Sequence, residues 1–107
     1  MVDFLGMMRK AQEVQAKLAE AQDELGRLEI EGHSGGGMVK IVVNGKGETK
    51  SVALDASLMT PADKEVVEDL IVAAFNDAKA KADRAAAEKM QALTSGLSLP
   101  PGMKLPF

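Results

Sequence analysis

The sequence has no cysteine, no tryptophan and no tyrosine, and its one histidine is His33. Without cysteine there is no disulfide framework, no thiolate zinc site and no cysteine nucleophile. A single histidine excludes a multi-histidine metal site within one chain. Phe4, Phe75 and Phe107 are the only aromatic residues, so there is no platform on which single-stranded bases would stack. No stretch approaches membrane-spanning length, and no basic leader precedes an apolar run; the expectation is a cytoplasmic chain with no membrane partner. Charge of one sign is missing too: 13 Lys and Arg stand against 16 Asp and Glu, for a net charge of −3. A basic domain is the usual mark of nucleic-acid binding, so any such activity here has to use local clusters and be weak and salt-sensitive.

What the sequence does have is a long first helix. Phe4, Met7, Ala11, Val14, Leu18, Ala21, Leu25 and Leu28 step by three and four in alternation, the repeat of a coiled-coil seam. A helix over residues 3–26, with Asp3 as its N-cap, would be about 36 Å long. A compact chain of this size has a radius of gyration of about 13 Å, so such a helix must cross the whole molecule or project from it. Its narrow seam calls for a partner helix, and the reading is an elongated dimer built on that seam.

From Arg27 to His33 the period changes to two, with Leu28 and Ile30 alternating with Glu29 and Glu31, as in a half-buried strand. Ser34 to Gly37 reads as a turn. Val39, Ile41 and Val43 then alternate with Met38, Lys40, Val42 and Asn44, Asn44-Gly45 signals a tight hairpin, and a third strand runs over Thr49–Leu54 with Val52 and Leu54 facing one side. Residues 27–54 are thus three strands of an antiparallel meander whose two edges must be covered, charged or paired. Thr60-Pro61-Ala62-Asp63 starts a second helix, expected over residues 61–93. Its apolar stripe is bulky at first (Val67, Ile71, Phe75) and then nearly all alanine. Its charge is polarised: Asp63, Glu65, Glu68, Asp69 and Asp77 dominate the first half, and Lys79, Lys81, Arg84 and Lys89 the second. Macrodipole complementarity explains part of this, but that effect fades beyond the terminal turn. A Pro-rich apolar tail, residues 97–107, is expected to lie against the body or a partner. The fold class is α+β in one domain.

No catalytic constellation emerges. Gly32 to Gly37 has the spacing of a phosphate loop, but Met38 and Val39 stand where Lys and Ser or Thr are required. His33 and Ser34 are adjacent strand residues and point to opposite faces. Glu65, Glu68 and Asp69 read as a helix surface rather than a cation site. The sequence predicts no enzyme, no metal and no cofactor.

Several runs resemble one family. Met38-Val-Lys-Ile-Val-Val-Asn-Gly45, Val52-Ala-Leu-Asp-Ala-Ser-Leu58, Asp63-Lys-Glu-Val-Val-Glu-Asp-Leu70 and Ala73-Ala-Phe-Asn-Asp-Ala78 are similar to the YbaB/EbfC family of bacterial nucleoid-associated proteins. So are Met7-Met8 with Lys10-Ala11-Gln12, and the ending Leu99-Pro-Pro-Gly-Met-Lys-Leu-Pro-Phe107. The resemblance spans nearly the whole chain. It implies a helix, a three-stranded antiparallel sheet and a long second helix in a tweezer-like homodimer. It also implies binding to double-stranded DNA in the nucleoid, with roles in nucleoid organisation and gene expression. Family members often lie beside genes of recombinational repair, which keeps repair proteins open as partners. The chain lacks the Gly-rich basic leader common in the family, and Ala56 stands where Pro is common.

Basic side chains on the prongs of such a dimer are the expected phosphate contacts: Arg9, Lys10 and Lys17 on the first helix, and Lys79, Lys81, Arg84 and Lys89 on the second. Affinity would rest on backbone charge, with weak sequence preference. The alternative is a protein-interaction accessory module for recombinational repair that associates with DNA indirectly.

Overall fold

The computed structural model describes residues 3–96, in the order α1 (Phe4–Arg27), β1 (Ile30–Ser34), β2 (Val39–Val43), β3 (Thr49–Leu54) and α2 (Lys64–Gly96). The expected Pro-rich tail, residues 97–107, falls outside the described residues.

The strands form one antiparallel sheet in the order β1-β2-β3. Gly32 is opposite Ile41, which is opposite Val52; Ser34 is opposite Val39, which is opposite Leu54. Because opposed residues share a face, these positions all point towards α2. α2 packs on β1 and β2. The core is Val39, Ile41, Val43 and Leu58 from the sheet side and Ala74, Ala78 and Ala82 from the helix. The alanine run therefore serves close approach: the helix backbone comes so near β1 that a Cβ on Gly32 would lie 2.4 Å from the Ala78 nitrogen.

The free edge of β1 is closed by α2. Asp77 Oδ2 accepts the His33 backbone N–H at 3.0 Å, and one turn on, Lys81 Nζ donates to the Glu31 carbonyl at 2.9 Å. The two side chains also pair with each other at 3.0 Å, and Ser34 Oγ donates to the Leu70 carbonyl. A strand edge capped in this way offers no ladder to a further strand.

The Asp77 carboxyl lies below its ordinary value of 3.8, first because of the His33 N–H and then because of the Lys81 hydrogen bond. A folded-state value below the unfolded one contributes stability above the unfolded value and loses it as pH falls through the folded value. Thermal melts from about pH 5 down to about pH 2 are expected to show the wild type losing stability below about pH 4, with a shallower decline in Asp77→Asn.

Two turns differ from expectation. Asn44-Gly45 does not form a tight hairpin with positive φ; in that loop only Gly47 has one, at 84°. Asn44 instead closes a longer loop with its side chain, Oδ1 accepting from the Lys46 and Glu48 N–H groups at 2.9 and 3.0 Å. Its Nδ2 donates to Glu48 Oε1 at 2.7 Å and to the Gly26 carbonyl at 3.3 Å. Gly45 sits against α1, its N–H donating to the Leu25 carbonyl at 2.7 Å. The hairpin tip is thereby keyed to the end of α1. The second difference is at Pro61, which opens a 3₁₀ turn over Pro61–Asp63, so the α-helix starts at Lys64 and runs to Gly96.

The molecule is a rod, 73 × 22 × 16 Å, with a radius of gyration of 19.9 Å. The seam of α1 finds its partner within the chain. Ala21 and Leu25 are buried, and hollows between the helices bring Gln22 and Leu25 beside Ala86 and Met90, and Lys17 and Ala21 beside Ala92 and Leu93. The helices therefore run antiparallel over the last third of α1. The seam by itself does not force two copies together. Towards its N-terminus it stays open: Phe4 is 70% exposed and Met7 60%.

Candidate nucleic-acid interface

The basic residues fall into two groups according to what holds them. Lys81 is engaged in the clip on β1. Lys89 is half-buried and pairs with Glu24 across the joint between the helices. Arg27 pairs with Asp23 one turn earlier at 3.3 Å. A pair between Glu13 and Lys17, favoured by their spacing, does not form.

The second group is exposed. Arg9 and Lys10 lie on the stretch of α1 that α2 leaves bare, and Lys17 lies at its base; among the described residues none of the three has a carboxylate within 4.0 Å. Lys10 and Lys17 are seven apart and share a face of the helix. Arg84 is exposed and equally unpaired on α2. Lys79 is exposed beside the sheet, where it lines a hollow of about 340 Å³ with Lys46, Thr49, Phe75 and Asp83.

Lys46 was not singled out by sequence reasoning. The signal was present, because the hairpin run Asn44-Gly45-Lys46-Gly47 puts this lysine at a loop tip. Only the docking of that tip on α1 and α2 brings it beside Lys79. The expected set is thus not gathered in one patch: Lys81 and Lys89 hold the fold, Lys79 faces the sheet flank, and Arg9, Lys10, Lys17 and Arg84 have no ion-pair partner among the described residues.

Among the described residues no three His, Cys, Asp or Glu side chains are gathered as a metal site. No described helix is long and apolar enough to cross a membrane. A surface of scattered guanidinium and ammonium groups can hold phosphates by charge.

Residues 1–97 match the profile of the YbaB/EbfC DNA-binding family. The chain belongs to that family. Curated relatives of this YbaB/EbfC protein include a nucleoid-associated protein of Agrobacterium fabrum, 53% identical over 107 residues and covering all of both chains. Another is a nucleoid-associated protein of Methylocella silvestris, 50% identical over the same length with full coverage of both. Among solved structures, an uncharacterized protein from Helicobacter pylori superposes with a TM-score of 0.69 at 25% identity, over 90% of this chain and 97% of that one. The fold anticipated for a YbaB/EbfC protein, with a long helix, a three-stranded antiparallel sheet and a second long helix, is the one found. The family is one of nucleoid-associated DNA-binding proteins rather than enzymes.

Proposed function

We propose that the protein acts as a homodimer that binds double-stranded DNA in the cytoplasmic nucleoid, gripping the phosphate backbone with weak sequence preference, and so organises the nucleoid and tunes gene expression. The observation that carries this reading is the bare stretch of α1 with Arg9 and Lys10 on it and Lys17 at its base, all exposed and, among the described residues, unpaired. A single rod only 16 Å thick offers few charges to a duplex, and two copies double them. Contacts of this kind fix position without reading bases.

The triple variant Arg9→Ala, Lys10→Ala, Lys17→Ala tests this. It removes six charges from a dimer, so the slope of log affinity on log salt is expected to become shallower by about 5, with the dimer intact. An unchanged slope would exclude α1 as the contact surface.

One observation favours the second reading. The tip of α1 exposes Leu5 at 72% and Met8 at 48% beside Phe4 and Met7, an apolar cluster suited to a protein partner rather than to phosphates. Such a module would assist recombinational repair and reach DNA indirectly. Retention of a recombination factor on the immobilised chain after nuclease treatment would favour it.

A further inference from the structure

Asn44 and Gly45 stand together for two separate reasons. Asn44 is kept for its amide: it is 5% exposed, and hydrogen bonds hold both ends of that amide. Gly45 is kept for its bareness, since a Cβ there would lie 2.7 Å from Leu25 Cδ2 and 2.9 Å from the Leu25 oxygen. The result is an asparagine followed by the one residue whose backbone nitrogen no side chain hinders. Such a nitrogen can attack the side-chain carbon of the asparagine before it, which makes Asn-Gly the pair most prone to deamidation.

That attack needs two freedoms, and the folded chain withholds both. The Gly45 nitrogen must give up its proton and swing towards Asn44 Cγ, but its N–H is donated to the Leu25 carbonyl at 2.7 Å. The Asn44 amide must turn back on its own backbone, but Nδ2 is tied to the Gly26 carbonyl and to Glu48, and Oδ1 to the Lys46 and Glu48 N–H groups. The ties to Leu25 and Gly26 belong to the last turn of α1, which ends at Arg27. Both are lost at once when that end of the helix lifts from the hairpin tip. Among the described residues of α1 only Ala21 and Leu25 are buried, so this helix opens at a lower free energy than the sheet.

We infer that Asn44 is a deamidation site gated by the docking of α1, and that its conversion keeps α1 from docking again. The Gly45 nitrogen bonds to Asn44 Cγ, the Cγ–Nδ2 bond breaks, and ammonia leaves carrying the Gly45 proton. Water then opens the cyclic imide at one of its two carbonyls, leaving aspartate or isoaspartate at position 44; nothing is oxidised or reduced. Neither product fits the old site. A carboxylate still accepts from the two loop N–H groups but has no hydrogen to donate. Its charged oxygen would face the Gly26 carbonyl, which is helix backbone and cannot turn away, and Glu48, which has to swing out to water. Isoaspartate adds a carbon to the main chain and moves Gly45 off Leu25. The same helix carries Arg9, Lys10 and Lys17, so the conversion changes, one way, how these charges are held.

Peptide mass spectrometry on the full chain, incubated at neutral pH, tests the gate by following the mass gain of deamidation at Asn44. The folded wild type is expected to convert at least about tenfold more slowly than the chain in guanidinium chloride, because conversion waits on opening. Leu25→Ala loosens α1 while leaving the core between the sheet and α2 in place; it is expected to convert at least about threefold faster than folded wild type. Equal rates in folded and denatured wild type overturn the gate, and a Leu25→Ala rate equal to wild type overturns α1 as its source. Hydrogen exchange on Asn44→Asp tests the consequence: amides of residues 24–27 are expected to exchange at least about fivefold faster than in wild type. Unchanged exchange there overturns the claim that conversion keeps α1 from docking.

Discussion

Replacing Gly32 by alanine is expected to lower stability by at least about 3 kcal/mol, the upper part of the range for overpacking a closed site. The added methyl would lie 2.4 Å from the Ala78 nitrogen, 2.5 Å from the Ala74 carbonyl oxygen and 2.5 Å from the Ala78 Cβ. Two of these are helix backbone and the third is a buried methyl, so none can swing aside. β1 must lift from α2, which breaks the contact on which the core depends and strains the Asp77–His33 and Lys81–Glu31 clip. For a domain of this size the melting temperature would fall by more than about 10 °C. Gly36→Ala is the control. Gly36 has φ of 67° with nothing within 4 Å of the added atom, so alanine there meets only the left-handed backbone penalty of roughly 1–2 kcal/mol. Thermal melts of the two variants separate a glycine kept for contact from one kept for conformation.

That contrast marks where the sequence was legible. Period-two alternation placed Val39, Ile41 and Val43 on one face because burial acts on each of them separately. The same alternation placed Val52 and Leu54 together but could not say that they stay uncovered, since that depends on which strands α2 crosses. Gly32 read as one residue of the first strand, at the start of a glycine-rich run, while its role depends on Ala74 and Ala78, more than forty residues away. The glycines at 35–37 were legible as a turn, and all three have positive φ. The seam of α1 was visible, but a repeat of threes and fours does not say whose helix fills it; for the last third it is the chain's own α2.

The site was less legible than the fold, for the same reason. Lys89 looked as free as Arg84 in the sequence, but its partner, Glu24, is 65 residues distant, and the bond from Lys81 to the Glu31 carbonyl spans 50 residues. Spacing rules reach one helical turn, which is enough for the Asp23–Arg27 and Asp77–Lys81 pairs and not for these longer links. Lys46 entered the picture only when the hairpin tip docked on α1.

The central claim is that a chain with a net charge of −3 nevertheless holds duplex DNA by charge, through a few unpaired basic side chains presented twice. Such binding is driven by release of counterions from the duplex, and each neutralised phosphate adds about 0.9 to the slope of log affinity on log salt. Arg9, Lys10 and Lys17 from two copies give a slope of about −5, so affinity should fall on the order of a thousandfold between about 50 and 200 mM salt. Base-reading contacts, by contrast, would add discrimination between sequences without adding to the slope. The direct measurement is therefore the affinity of the intact protein for two unrelated duplexes of equal length across that salt range. The account predicts parallel, steep lines for the two duplexes; a salt-independent affinity would contradict it.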